Sequence, residues 1–210
     1  MSDTTWKPED HIPEYIKANL SNGKKNYVLA ILNIVQQLKI QKRTGWVNHG
    51  IESPESISDH MYRMGITSML ITNPEVNKDK CVRISLVHDL AEALVGDITP
   101  YDPMTKEEKH RREYETIKYL CKKLISPMNP VAAKEIEEDW VAYETVSSLE
   151  ARYVKDIDKF EMLVQAFEYE QAHNVRLNQF WSAVSDIKTK EVTQWCSDLI
   201  EQRDSYFAAK

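Results

Sequence analysis

The chain of 210 residues carries 27 Lys and Arg against 33 Asp and Glu, a formal net charge of −6, and 42% of its residues are apolar. This apolar fraction is enough for one folded core. The net negative charge argues against binding to long nucleic acids, because proteins bind the phosphate backbone through basic surfaces. With 5 glycines and 8 prolines, the chain has too few turn residues for an all-β sandwich or barrel.

Helical periodicity dominates the chain, and no stretch alternates between apolar and polar residues with period two. The first predicted helix covers residues 27–40, where apolar side chains recur every three or four positions. The second begins after Ser56 or Ser58, either of which could serve as its N-cap. The expected apolar faces of these two helices are Val28, Ile31, Leu32, Val35 and Leu38, and Ile57, Met61, Met64 and Ile71.

A third helix is predicted over residues 80–95, ending at Gly96, and its apolar residues on most sides indicate that it is buried. Thr105 with Glu108 forms a capping-box pattern ahead of a charged helix that ends near residue 125. Irregular segments at residues 41–56 and 96–104 each adjoin a predicted helix that carries a histidine. Functional groups favour such segments on a rigid scaffold.

Three more helices are predicted in the last part of the chain. One covers about residues 131–146, and the last covers about residues 188–207. Between them, Ser147 with Glu150 repeats the capping-box pattern ahead of a long helix to about residue 173. These patterns together predict a single all-α domain over residues 1–210.

The cysteines and the start of the chain bear on the compartment. Cys81, Cys121 and Cys196 are odd in number and far apart, which disfavours a disulfide framework and a CxxC zinc site. No apolar run approaches about 18 residues, and the start MSDTTWKPED lacks the basic and apolar regions of a signal peptide. We therefore expect an intracellular protein that does not bind membranes, located in the cytoplasm, with the nucleus as the alternative.

Two of the six histidines lie in apolar surroundings. His60 shares the apolar stripe of its helix, and His88 precedes Asp89 in the most apolar predicted helix. Burying an imidazole or a carboxylate is costly unless it is paired or binds a metal. Glu92 follows His88 by four residues and Asp89 by three, so we expect all three on one helical face, with Asp97 just past the helix end.

A further acid lies in the long helix that follows residue 147. The residues three and four positions from Asp158 are mostly apolar, whereas Asp156 has Arg152 and Lys159 nearby and a more solvated setting. These residues are compatible with a His/His/Asp/Asp metal site. A buried histidine is also a common satisfied core residue, so a structural interpretation stays open.

The ordered strings RTGW, PESISDHMYRM, SLVHDLAEALVGDITP and ARYVKDIDKFEMLVQAFEYE resemble the HD-domain metal-dependent phosphohydrolases, and within them the 5′-deoxynucleotidases. The resemblance covers about residues 25–175 as the core of a single HD domain, flanked by an N-terminal segment and a C-terminal helix. It implies an all-α fold with the metal site between helices, a homodimer, and removal of the 5′-phosphate from deoxyribonucleoside monophosphates.

The resemblance also implies a role for individual residues. It makes Glu92 and Asp97 catalytic acids, Arg43 a phosphate ligand and Trp46 a neighbour of the sugar. In some members the arginine directly precedes the tryptophan, whereas Thr44 and Gly45 intervene here. The implied metal ligands are His60, His88, Asp89 and Asp158.

Nitrogen and oxygen ligands without thiolate favour Mn, Co or Mg, with Fe or Zn as alternatives. Asp97 could protonate the leaving oxygen, or could bind a second ion together with Glu92 and the carbonyl of Ile98. Two other functions remain open. One is hydrolysis of another nucleotide or phosphate ester by the same residues, and the other is a non-catalytic metal-binding helical module.

The two aspartates of the long helix make this assignment testable. They are two positions apart, hence about 200° apart around the helix axis, and cannot both face one ion. We expect Asp158→Ala to be metal-poor and inactive. Asp156→Ala should keep its metal, most of its rate and, within about 0.5 kcal/mol, its stability. Elemental analysis and phosphate release measure the difference; a metal-free Asp156→Ala would contradict the assignment.

Overall fold

The computed structural model describes residues 5–21 and 25–210. Residues 1–4 and 22–24 lie outside the described residues. The first four belong to the start MSDTTWKPED, where the sequence predicts no signal peptide. Ten α-helices account for most of the described chain: α1 (Glu14–Ser21), α2 (Tyr27–Ile40), α3 (Thr44–Asn48), α4 (Ile57–Met69), α5 (Lys78–Val87), α6 (Glu92–Val95), α7 (Lys106–Tyr119), α8 (Pro130–Thr145), α9 (Leu149–His173) and α10 (Lys190–Ala208).

Shorter helical pieces complete the described residues: 3₁₀ helices at Pro8–His11 and Asn178–Asp186, and a π-helix at Leu120–Ile125. Within residues 5–21 and 25–210, the β-type pairing is one isolated antiparallel bridge between Lys42 and Ser56. The all-α prediction is therefore confirmed. In residues 5–21 and 25–210, no helix combines the length and the apolar character that spanning a lipid bilayer requires.

The chain divides into two compact units that alternate along the sequence. The first comprises Met1–Asp59 and Val87–Trp140, and the second comprises His60–Leu86 and Val141–Lys210. Each unit is therefore built from two separate stretches of the chain. The domain boundaries expected from the sequence stay a prediction.

In the first unit, α2 packs against α1, α6 and the π-helix, and its buried residues are Ala30, Ile34 and Leu38. The predicted helix at Tyr27–Ile40 is confirmed. Its predicted apolar face is wrong at Val28 and Leu32, which are 54% and 58% exposed, whereas Leu38 is buried as expected. Apolar residues lie on nearly all sides of this helix, so spacing alone does not select the face that tertiary packing buries.

The helix predicted over residues 80–95 is interrupted. α5 ends at Val87, and the next turns are closed by tight hydrogen bonds from Leu90 N to the Val87 carbonyl (3.1 Å) and from Glu92 N to the Asp89 carbonyl (3.0 Å). The expectation that His88, Asp89 and Glu92 share one face of a continuous helix is therefore wrong. The predicted end at Gly96 is confirmed: its φ of 89° suits glycine, and its N–H donates to the Glu92 carbonyl at 2.9 Å.

In the second unit, α9 packs against α10 and the 3₁₀ helix Asn178–Asp186. Ser148, rather than the predicted Ser147, caps α9 by accepting a hydrogen bond from Ala151 N at 3.1 Å. The core of this unit consists of Met64, Ile71, Val76, Cys81, Ile84, Tyr143, Ala151, Tyr153, Val154, Ile157, Leu163, Phe167, Ile187, Val192, Cys196 and Leu199.

Asp156 is fully buried, so the predicted solvated setting is wrong. Its Oδ2 accepts hydrogen bonds from Lys188 N at 2.9 Å and Thr189 N at 2.6 Å, just before α10, and its Oδ1 accepts from Arg152 Nη2 at 2.6 Å. These backbone donors lie more than 30 positions away in the sequence, so a pattern of near neighbours along α9 could not indicate them.

Asp156→Ala should therefore destabilise the protein by about 2–4 kcal/mol, which replaces the change within about 0.5 kcal/mol expected for a solvated acid. The substitution removes charge-assisted hydrogen bonds and leaves the buried backbone N–H of Thr189 without its acceptor. Urea unfolding measures the loss. The matched control is Asp186→Ala, whose exposed carboxylate lies 3.2 Å from Lys159 Nζ. That change should cost less than about 1 kcal/mol. Equal losses in both variants would contradict the structural role of Asp156.

Candidate metal centre

The second unit places one histidine and one aspartate of the predicted ligand set side by side. His60 on α4 is fully buried, and its Nε2 lies 3.2 Å from Oδ1 of Asp158 on α9. The other carboxylate oxygen of Asp158 accepts a hydrogen bond from the Tyr143 hydroxyl at 2.7 Å. An imidazole nitrogen and a carboxylate oxygen at this separation are suitable ligands for one divalent ion.

Glu161 is a further buried acid beside His60 in this unit, and no role was predicted for it from the sequence. Its Oε2 is hydrogen bonded to Nδ1 of His60, and its Oε1 accepts from Arg63 Nε at 2.6 Å. Burial acts to raise the pKa of Glu161, but the charges and hydrogen bonds of His60 and Arg63 outweigh it and lower this pKa. The sequence feature that could have indicated Glu161 is its position three residues after Asp158, which places both acids on one face of α9.

The first unit holds a second such pair. His88 is 4% exposed, and its Nε2 lies 3.1 Å from Oδ2 of Asp89 in the turn between α5 and α6. The same Asp89 oxygen lies 3.4 Å from Nη1 of Arg43, the residue that precedes α3. The structure thus brings the predicted phosphate ligand next to a predicted metal ligand.

Glu92 is a buried acid of this unit whose pKa is raised. It is 4% exposed, and its Oε2 has no hydrogen-bond partner among the described residues. Burial raises the pKa of Glu92 well above its ordinary value, and the negative charges of Asp89 and Asp97 raise it further. A carboxyl group with a raised pKa suits general acid–base chemistry near neutral pH.

Asp97 and Ile98 follow Gly96 and bind neighbouring segments. Asp97 Oδ2 accepts a hydrogen bond from Thr44 N at 2.6 Å, and its carbonyl accepts from Thr44 Oγ1 at 2.7 Å. The Ile98 carbonyl, expected as a ligand of a second ion, accepts a hydrogen bond from Lys109 Nζ at 2.7 Å. An ammonium group therefore lies at that carbonyl.

Trp46 lies on the short helix α3, inside a segment that was expected to be irregular. It is 1% exposed, and its Nε1 donates a hydrogen bond to Glu55 Oε1 at 2.9 Å. The indole is therefore part of the packed interior around α3, unlike an exposed loop aromatic.

Both units thus offer nitrogen and oxygen donors without thiolate, which fits a divalent ion such as Mn, Co or Mg. His60 and His88 are both buried, and the Nε2 of each lies close to a carboxylate oxygen, an arrangement typical of metal ligands. The chemistry of the donor set therefore fits the ion that the resemblance implies.

Comparisons with known proteins identify the family of this chain. A family model described as the HD domain matches residues 35–199. A 5′-deoxynucleotidase of Saccharomyces cerevisiae is 64% identical over 207 residues, covering 98% of this chain and 87% of the relative. The 5′-deoxynucleotidase HDDC2 of Homo sapiens is 44% identical over 195 residues, covering 91% of this chain and 94% of the relative.

Solved structures show the same likeness. The HD domain-containing protein YGK1 superposes with a TM-score of 0.77 and 53% identity, covering 96% of this chain and 99% of that chain. A Pyrococcus horikoshii protein superposes with a TM-score of 0.66 and 28% identity, covering 83% of this chain and 97% of the other.

The raised pKa of Glu92 predicts how the metal-free protein responds to pH. Because the folded state favours the protonated carboxyl, its stability contribution is present below the ordinary pKa of 4.5 and is lost as pH rises through the raised value. In EDTA at about pH 8, Glu92→Gln should therefore be more stable than the wild type by about 1–3 kcal/mol. The gain should shrink toward acidic pH.

Denaturant titrations of both proteins across the pH range measure this difference. Glu52→Gln, which makes the same charge change at an exposed residue, is the matched control and should leave stability nearly unchanged. A Glu92→Gln variant that is less stable than the wild type at neutral pH would show that this carboxylate is satisfied in the fold.

Proposed function

Because this chain belongs to the HD-domain family, we propose that it is a metal-dependent 5′-deoxynucleotidase, releasing phosphate from deoxyribonucleoside monophosphates. The observation that carries the proposal is the pair of buried histidines, each with Nε2 at 3.1 or 3.2 Å from a carboxylate oxygen. The names of relatives at 64% and 44% identity support the substrate class.

In this proposal, His60, His88, Asp89 and Asp158 are the ligands of the divalent ion. When bound, the ion would supply positive charge that acidifies a water molecule and neutralises the phosphoryl oxygens. Nitrogen and oxygen ligation favours Mn, Co or Mg, with Fe or Zn as alternatives.

Glu92 is the proposed proton acceptor for the attacking water. Its burial, its raised pKa and the lack of a hydrogen-bond partner for Oε2 among the described residues all suit this role. Asp97, held in place by Thr44, is the proposed proton donor to the departing 5′ oxygen. The alternative use of Glu92, Asp97 and the Ile98 carbonyl for a second ion is less favoured, because Lys109 donates to that carbonyl.

Arg43 is the proposed phosphate ligand. Its guanidinium lies 3.4 Å from Asp89, so a phosphoryl group next to that carboxylate would be within its reach, and the planar donors suit phosphate oxygens. Trp46 is proposed to form the wall beside the sugar and to favour deoxyribose over ribose.

Two finer properties belong to the same proposal. Val28, Leu32 and Ile40 leave an exposed apolar stripe on α2, which supports a homodimer. The cysteines Cys81, Cys121 and Cys196 are buried free thiols, which supports a reducing compartment such as the cytoplasm.

A substrate panel tests the proposal. Purified protein with Mn²⁺ or Co²⁺ should release inorganic phosphate from deoxyribonucleoside monophosphates, and EDTA should abolish the release because the ion carries the charge neutralisation. Triphosphates, cyclic nucleotides and ribonucleoside monophosphates should be poor substrates. Asp158→Ala, which removes a proposed ligand, should be inactive, whereas Asp186→Ala should match the wild type.

The panel also separates the alternatives. Preferred hydrolysis of triphosphates or cyclic nucleotides would favour another phosphate ester as the substrate. Metal binding without phosphate release from any ester would favour a non-catalytic module, and either result would overturn the 5′-deoxynucleotidase assignment.

A further inference from the structure

The two ring nitrogens of His60 face two different carboxylates. Nε2 lies 3.2 Å from Asp158 Oδ1, and Nδ1 is hydrogen bonded to Glu161 Oε2. Glu161 is 2% exposed and its other oxygen accepts from Arg63 Nε at 2.6 Å, so it is an ionised, acceptor-only group. The His60 nitrogen that faces Glu161 must therefore carry a proton and donate it.

Arg63 acts as a clamp between α4 and α9. Besides Glu161, its guanidinium donates to Gln165 Oε1 at 2.7 Å through Nη2 and to Glu168 Oε2 at 2.8 Å through Nη1. The three acceptors lie on successive turns of α9, so the guanidinium plane has little freedom to rotate. One carboxylate oxygen of Glu161 is therefore fixed by the guanidinium of Arg63, and the other oxygen is hydrogen bonded to His60.

The spacing along both helices matches this arrangement. On α4, Arg63 follows His60 by three residues, and on α9, Glu161 follows Asp158 by three residues. Residues three apart lie on neighbouring turns of the same helix face. One turn of each helix therefore carries a proposed metal ligand, and the next turn carries the residue that supports it.

We propose that Glu161, held by Arg63, is a positioning residue that keeps His60 oriented with Nε2 available to the metal ion. The inference rests on the proposed function for the presence of the ion. Removing such a partner of a ligating histidine typically weakens metal binding by about 10–100-fold. Neither Glu161 nor Arg63 contacts substrate in this scheme, and both act through the imidazole.

The variant Glu161→Gln tests the proposal, because its amide offers one oxygen where the carboxylate serves both His60 and Arg63. We expect its Kd for Co²⁺, measured by calorimetric titration, to rise by about 10–100-fold. The visible absorption spectrum of bound Co²⁺ should also change, since the ligand geometry is altered. Glu168→Gln, the same change at the half-exposed partner of Arg63, should keep the wild-type Kd and spectrum.

A second measurement does not depend on whether Glu161→Gln folds correctly, because it is made on the wild type. In the Zn²⁺-loaded wild type, ¹⁵N spectra of the imidazoles should show His60 protonated at Nδ1, with the signal assigned by its loss in His60→Gln. A proton on Nε2 would overturn the proposal, as would a wild-type Kd in Glu161→Gln or an equal loss in Glu168→Gln.

Failure of this inference is distinguishable from failure of the proposed function. If the wild type hydrolyses deoxyribonucleoside monophosphates and Glu161→Gln binds Co²⁺ like the wild type, only the positioning role is wrong. If the wild type binds no divalent ion, both the positioning role and the metal-dependent mechanism are wrong.

Discussion

The burial of ionisable side chains among packed helices is the constraint on which the candidate site depends. His60 is fully buried, and His88, Glu92 and Glu161 are 4%, 4% and 2% exposed. An imidazole or carboxylate removed from water is costly unless a partner of suitable charge or a metal replaces the solvent. In the second unit, His60 lies between the carboxylates of Asp158 and Glu161, and Arg63 pairs with Glu161. In the first unit, the carboxylate of Asp89 lies beside His88 and also pairs with Arg43.

Two buried carboxylates show how the same burial serves different ends. Asp156 has both oxygens satisfied, by Arg152 and by the backbone before α10, and therefore ties α9 to the start of the last helix. Glu92 keeps one oxygen without a hydrogen-bond partner among the described residues, and burial together with neighbouring negative charge raises its pKa. A buried carboxylate with hydrogen-bond donors at both oxygens stabilises the fold. A buried carboxylate that lacks a donor is destabilised in its charged form, and protonation or a bound cation would relieve that destabilisation.

Local patterns predicted most of the helices because caps and periodicity are properties of neighbouring residues. Thr105 accepts from Glu108 N as its capping pattern indicated, and α9 ends at His173 as expected. Asp156 could not be assigned in this way, since its backbone donors come from the distant segment before α10. The residue types of the donor set were predictable, but the support that Glu161 gives His60 depends on α4 and α9 meeting in space.

The broken helix after Val87 is a place where the helical pattern fails and where three of the proposed site residues lie, His88, Asp89 and Glu92. Successive side chains on a regular α-helix point about 100° apart, which would separate the end groups of His88 and Asp89. In the tight turn that replaces the helix, His88 Nε2 lies 3.1 Å from Asp89 Oδ2. Local departures from regular structure are expected at functional sites, because the backbone there is shaped by the groups that it must bring together. The interruption between α5 and α6 therefore brings the side chains of two adjacent proposed ligands, His88 and Asp89, close to each other.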